Sequence, residues 1–294
     1  MTTYKLMVPK SQEMYDWFNF IEDGLKANDN VNVLIVDFNE VDFLHTDDFV
    51  VLACLIESFS LNGASVAFIG GTAKFNAHLE NIKFKFYWSK GFNREEFTIS
   101  RNKSTLCLWK ISHPKIPSYS NFAKTYFERT FLNNIDLLPL ASNLDEVFNN
   151  IFDHSKSPIA GYIITQYFPI KKKLSFSVCD FGIGIANSIN SYRIEKGEKP
   201  IDDWKAISLS LEQGFSVKST PQNRGFGLNN ILELTESSNG TLSIVSNEGI
   251  LIKRAGKNYE MGNTGFSFSG TLIKVEVDTN TFENIDESDM IFDF

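Results

Sequence analysis

The stretch LSFSVCDFGIG, residues 174–184, decides how the second half of this chain folds. Leu174, Phe176 and Val178 alternate with Ser175, Ser177 and Cys179. That period of two is the signature of a half-buried antiparallel strand. The upstream run GYIITQYF (161–168) pairs with it as a hairpin across the turn Pro169 to Lys173. Asp180 ends the strand, and Gly182 and Gly184 bracket Ile183. An aspartate at a strand end, beside backbone that a flat ligand can approach closely, is suited to accept a hydrogen bond from an exocyclic amine. Asp-Phe-Gly also occurs in protein kinases, where the aspartate binds metal. The rest of that kinase set, a His-Arg-Asp loop and a Val-Ala-Ile-Lys strand, is missing from the chain.

Working outward, EVFNNIFDH (146–154) precedes the strand and RGFGL (224–228) follows it. Glu146, Asn150 and His154 stand at i, i+4 and i+8 and drift by only about 40° around a helix, so they share one face. Val147, Phe148, Ile151 and Phe152 supply an apolar surface beside them. Asparagine is a mediocre helix former, so two of them in mid-helix call for an outside reason. An amide oxygen is a hard neutral ligand suited to Mg²⁺ shared with phosphates and waters. A carboxylate one turn away can orient or deprotonate a hydroxyl or water. Downstream, Gly225 and Gly227 precede the apolar helix start at Leu228. Backbone N–H groups exposed at a helix N-terminus make a phosphate cradle. No Lys-Ser/Thr follows, so this is not a P-loop.

In this order the segments resemble the GHKL, or Bergerat-type, ATP-binding domain, which occurs in gyrase, histidine kinases and anti-sigma serine kinases. Glu146-x-x-x-Asn150-x-x-x-His154 resembles its N box, Asp180-x-Gly182-x-Gly184 its first glycine box and Gly225-x-Gly227 its second. Gly270-Thr271, leading into LIKVEV, resembles its closing strand. The resemblance covers roughly residues 120–278. It implies that Asn150 holds Mg²⁺, Asp180 receives the adenine amino group with Thr271 in support, and Gly225 and Gly227 contact phosphates. Glu146 is then the candidate general base. The span holding Gly214, Ser216, Lys218 and Arg224 is the ATP lid, where Lys218 or Arg224 would neutralise phosphate charge.

The first half reads as strand, helix and strand in alternation, which argues for parallel strands. Strands are expected at 4–8, 31–38 and 64–71, the latter two buried on both faces, and helices at 12–27, 47–61 and 73–81. Two further β-like runs follow at 95–100 and 104–111. This half resembles a STAS domain, the anti-sigma-antagonist-like fold, in the rhythm of VNVLIVDFNEVDFLHTDDFVVLACLIESFSLNGASVAFIG. Where phosphorylatable members carry a turn close to Asp-Ser-Ser-Gly, this chain has His45-Thr46-Asp47-Asp48. Asp47 there reads as a helix cap; Thr46 as phosphate acceptor, or Asp47 as a fixed charge mimicking phosphate, are the sharper readings.

HPKIPS (113–118) carries two prolines, excluded from helix interiors and sheet ladders, and marks a boundary. Beyond it, 119–154 reads as helical with a break near Pro139 and with Ser142 or Asn143 capping a helix that begins at Leu144. After a long polar stretch come helices near 203–212 and 227–236, then strands near 241–246, 249–254 and 266–277. The expected architecture is α/β: a STAS-like domain over 1–112, a linker at 113–118, and a GHKL α/β sandwich over 119–280. The sandwich should carry a mixed, mainly antiparallel sheet with helices on one face. An acidic tail occupies 281–294.

Composition limits the uses of such a site. The net charge of −8 argues against a partner held through nucleic-acid phosphates. No apolar run approaches the roughly 20 residues of a membrane span, and the N-terminus lacks a signal-peptide core, so a cytoplasmic protein is expected. Cys54, Cys107 and Cys179, far apart and in apolar stretches, read as buried thiols. Of His45, His78, His113 and His154, only His78 sits on a plausible helix before an acid, and no second long helix follows it. That excludes the dimerising hairpin of a histidine kinase. What remains is an ATP-Mg-binding regulator acting on a protein partner, as an ATPase or serine/threonine kinase of the anti-sigma type, or else a non-catalytic nucleotide-dependent binding module. A homodimer is compatible with either.

Overall fold

The computed structural model describes residues 1–11, 13–92, 103–110, 116–154, 157–159, 161–213 and 227–284. The run expected at 95–100 and the end of the acidic tail lie outside them. Strands β1 (Thr3–Met7), β2 (Val33–Asp37) and β3 (Ser65–Ile69) form a parallel sheet in that order. Helices α1 (Met14–Ala27) and α2 (Thr46–Leu61) are the crossovers, and α3 (Ala73–Asn81) follows β3. Right-handed crossovers taken in the order 1-2-3, with no reversal, put both helices on one face. Leu34 and Val36 are accordingly fully buried, while Val33 and Ile35, on the other face, are partly open. The expectation of strands buried on both faces therefore fails, because that face has no second layer of helices among the described residues.

The larger sheet is built from β4 (Trp109–Lys110), β5 (Tyr162–Phe168), β6 (Lys173–Asp180), β7 (Thr241–Arg254) and β8 (Glu260–Asp278). Its order is β4-β5-β6-β8-β7 and every pairing is antiparallel. On one face lie α4 (Ile116–Thr130), α5 (Leu138–His154) and α8 (Gly227–Ser237), which share a core with Phe176, Val178, Ile273 and Val275. The other face is covered by α2, whose Thr46 hydroxyl lies 2.7 Å from Ser177 Oγ and 3.1 Å from Ser175 Oγ. The serine face expected to meet solvent is thus buried, and helices flank this sheet on both sides rather than one. Twelve of the sixteen residues of α2 are buried, because it sits between the two sheets. Each fully buried Leu or Ile on it contributes roughly 1.5–3 kcal/mol.

Local chemistry explains the other departures. Residues 105–110, ahead of the prolines, already belong to the larger sheet through Trp109 to Ile163 and Thr105 to Gln166. Pro117 and Pro139 each stand in the first turn of a helix, α4 and α5, where the missing N–H costs nothing. The second helix therefore begins at Leu138, not Leu144. Asp136 Oδ1 accepts the Leu138 N–H, and Asn143, expected as a cap, donates from Nδ2 to the Pro139 carbonyl inside the helix. The polar stretch holds α6 (Ile185–Glu195), then α7 (Asp203–Ser210). Only Ala186 and Ile189 of α6 are buried, too few for a periodic pattern to register. The expected strands at 241–246 and 249–254 are one strand with a register break at Asn247.

Buried Glu57 of α2 ties the layers together. It accepts from Trp88 Nε1 at 3.0 Å and Tyr162 OH at 2.9 Å, and pairs with Lys110 at 2.7 Å. Glu57→Ala is expected to cost about 3–5 kcal/mol, since it strips these donors of an acceptor in a buried setting. Urea denaturation measures this, and a loss below about 1 kcal/mol would show that the cluster behaves like a surface pair. Among the described residues no helix is long and apolar enough to cross a membrane. All three cysteines are buried.

Candidate functional site

The alternation along β6 determines where Asp180 points. Leu174, Phe176 and Val178 belong to the core shared with α4, α5 and α8, so Asp180, two residues on, faces the same helical layer. Its register partner on β8 is Thr271, and the partner of Thr271 on β7 is Ser246. Directly opposed residues of antiparallel strands share a face. Three polar side chains therefore form one row across three strands, and all are buried: Asp180 at 0 %, Thr271 at 5 % and Ser246 at 0 % exposure.

Asp180 is only half satisfied. Its Oδ1 accepts the Gly182 N–H at 2.7 Å, whereas Oδ2 is buried without a hydrogen-bond partner. Burial pushes the carboxyl up to about 7, against the opposing pull of the Gly182 and Thr271 backbone N–H groups. A buried polar atom left unpaired costs free energy, and here it offers an acceptor to a donor entering from the helical face. That donor chemistry fits an exocyclic amine.

The glycine segment after Asp180 is held by β7. Ser246 Oγ accepts the Ile185 N–H at 2.8 Å and donates to the Gly270 carbonyl at 2.9 Å. Asn247 Oδ1 accepts the Asn187 N–H at 3.1 Å, and its Nδ2 donates to the Ile183 carbonyl at 3.1 Å. Asn247 adopts a left-handed conformation, φ +54°, at the register break. Gly184, at φ +80°, passes so close that a Cβ there would lie 2.4 Å from Asn247 Oδ1. Ser246 and Asn247 escaped the sequence reading. Their signal was the short polar gap Asn247-Glu248 between two β-like runs, which read as a strand break rather than a bulge.

The structure brings several of the expected segments onto one face. Helix α5 carries positions 146, 150 and 154 along its length, and its Leu144, Val147 and Phe148 pack in the core that holds Val178. Gly227 opens α8, whose Leu228 and Ile231 join the same core. The side chains of Glu146, Asn150 and His154 lie outside the described residues, as do Gly214, Ser216, Lys218, Arg224 and Gly225 altogether. Thr46 and Asp47 are elsewhere, on the opposite face of the sheet. Thr46 is 2 % exposed between two serines, out of reach of an incoming phosphoryl donor. Asp47 pairs with Lys274 at 2.8 Å and does not cap α2; the capping contact is made by Asp48, which accepts the His45 N–H.

Scanned against models of protein families, the chain matches none, and no curated protein matches it in sequence.

Proposed function

We propose that this chain is an ATP-Mg-binding regulatory protein of GHKL type with a STAS-like N-terminal half, acting on a protein partner. The observation that carries the reading is the buried, unpaired Oδ2 of Asp180 at the end of β6, in register with Thr271. Asp180 would accept the adenine amino group, Thr271 would support it, and Ser246 and Asn247 would hold the backbone of 183–187 against it. Gly227, at the start of α8, would offer backbone N–H groups to phosphate; Gly225, Lys218 and Arg224 would join it from the lid. Asn150 would ligate Mg²⁺ through its amide oxygen, with His154 on the same helix face. Bound there, ATP-Mg supplies a transferable phosphoryl group. Glu146 would take the proton from an attacking serine or threonine hydroxyl or from water.

A non-catalytic module remains the second reading, favoured by the way α2 is built into the back of β6 and β8. A lid ordered by nucleotide, and a partner-binding surface rooted in the same strands, would form one two-state element. Asn150→Ala is expected to lose Mg-dependent binding of a fluorescent ATP analogue, and unaltered affinity removes Asn150 as the metal ligand. Glu146→Ala should keep nucleotide binding. If it also loses ADP or phosphoprotein formation that the parent shows, the chain is an enzyme with Glu146 as base. If neither protein turns over ATP with any partner tested, the module reading stands.

A further inference from the structure

Helix α2 meets the back of β6 through a pair of cysteines. Ser175, Ser177 and Cys179 alternate onto the face that α2 covers, and Cys54 lies about two turns along α2 from Thr46, which contacts both serines. The Cys54 thiol donates to the Cys179 carbonyl at 3.2 Å, and the two side chains also interact thiol to thiol. Both residues are 0 % exposed. They stand 125 positions apart in the chain, one in the parallel-sheet half and one in the larger sheet. Cys107 keeps a different neighbour, the Asn81 carbonyl at 3.8 Å. A single buried cysteine is a small apolar filler. Two that meet across an interface can also be joined, since a disulfide needs side chains already in contact.

With α2 seated on the sheet the pair is inert. Burial pushes both thiols up, and the Asp180 carboxyl adds to this at each of them, as Glu57 does at Cys54. Neither therefore supplies the thiolate that an oxidant requires, and no oxidant reaches them until α2 lifts.

We propose that Cys54 and Cys179 form a peroxide-responsive disulfide that locks α2 onto the back of β6. When α2 lifts, one thiolate attacks hydrogen peroxide. An S–O bond forms, the O–O bond breaks, and the departing hydroxide takes up the thiol's proton as water. On reclosure the second thiol attacks the sulfenic sulfur. The S–S bond forms, the S–O bond breaks, and a second water leaves with the remaining proton. Both sulfurs are oxidised and one peroxide is reduced to two waters. Peroxide is the oxidant class that fits, because a sulfenic oxygen adds a single atom and lets α2 reseat. A glutathione mixed disulfide would hold the helix off the sheet. Once the bond is made, α2 cannot lift again until a dithiol reduces it. The proposal rests on the thiol pair alone and is independent of the nucleotide reading.

The test treats the full chain with hydrogen peroxide, with and without urea below the unfolding transition. Proteolysis without reductant, followed by mass spectrometry, should find the peptides of Cys54 and Cys179 joined, lighter by two hydrogens, and separated again by dithiothreitol. Cys107→Ser should give the same link. Urea should speed the reaction about tenfold, because opening controls access. The oxidised protein should melt about 5–10 °C above the reduced one. Cys179→Ser should lose both the link and this shift. Cys54 and Cys179 left unlinked, whether untouched or carried on to sulfinic acid, overturn the proposal. So do a link to Cys107 or between chains, a rate indifferent to urea, and a link that leaves the melting temperature unchanged. Should Cys179→Ser not fold, Cys54→Ser and the oxidised parent before and after dithiothreitol decide by the same readouts.

Discussion

Gly270→Ala is expected to lose about 3 kcal/mol or more of unfolding free energy. At φ +113° this residue crosses the end of β6, and a Cβ there would lie 2.0 Å from the Asp180 carbonyl oxygen and 2.8 Å from Phe181 Cα. A left-handed alanine costs about 1–2 kcal/mol by itself, and an overlap with backbone rather than with a flexible side chain adds about 1–3 kcal/mol. Gly256 is the control. It has φ +68°, but an added Cβ meets nothing within 4 Å, so Gly256→Ala should cost only the conformational term of about 1 kcal/mol. Urea denaturation of the two variants separates strain from overlap. Equal losses would mean that β8 does not pass over Asp180 as closely as described. The functional corollary is that the strand carrying Thr271 reaches the Asp180 row only because the preceding residue has no side chain.

Asp180→Asn should move stability and ligand binding in opposite directions. The carboxyl is raised from 3.8 to about 7 in the folded protein, so between those values the folded state holds a proton that the unfolded state has lost. Stability is then greatest in acid and falls as pH rises through the window, by on the order of 4 kcal/mol. Asparagine cannot ionise and escapes this loss. The variant should therefore gain on the parent progressively from pH 4 to pH 8 in thermal or urea unfolding, while its affinity for an ATP analogue drops by about a hundredfold, the value of a hydrogen bond to a buried charge. Binding to the parent should also weaken below pH 7, where the carboxyl is protonated. A variant that loses stability at pH 8 would show that Asp180 is already satisfied in the folded state. A stabilised variant that binds ATP like the parent would remove Asp180 from the nucleotide site.

Elements with a strong period were legible along the chain. The alternation of 174–179 predicted β6 and its pairing with β5, and 73–81 predicted α3 to the residue, with Thr72 capping it through the Phe75 N–H. Strands at 31–38 and 64–71 were placed correctly within a residue or two. Misreadings arose where chemistry is set by a neighbour distant in sequence. Ser175 and Ser177 look like a solvent face until Thr46, some 130 residues earlier in the chain, is laid over them. Val33 and Ile35 look like one side of a doubly covered sheet until the 1-2-3 order leaves that side open. Pro139 looks like a break until Leu138 proves to be the first residue of α5.

For the candidate site, residue types and order along the chain were enough to single out Asp180 and the two glycine segments, because hydrogen-bond chemistry and glycine's conformational freedom belong to the residues themselves, whereas Thr271 was implied only by the resemblance of Gly270-Thr271 to a GHKL closing strand. The sequence by itself determined the alternating and helical elements, the acidic balance and the ordered set of polar and glycine positions. Tertiary structure alone decided that Asp180, Thr271 and Ser246 stand in one row, that Asp180 Oδ2 is left unpaired, and that Asn247 fastens the glycine segment. It also decided that α2 closes the back of the same strands. The physical reason is common to all of these: register and burial depend on which distant segments pair, and no local propensity encodes a pairing partner.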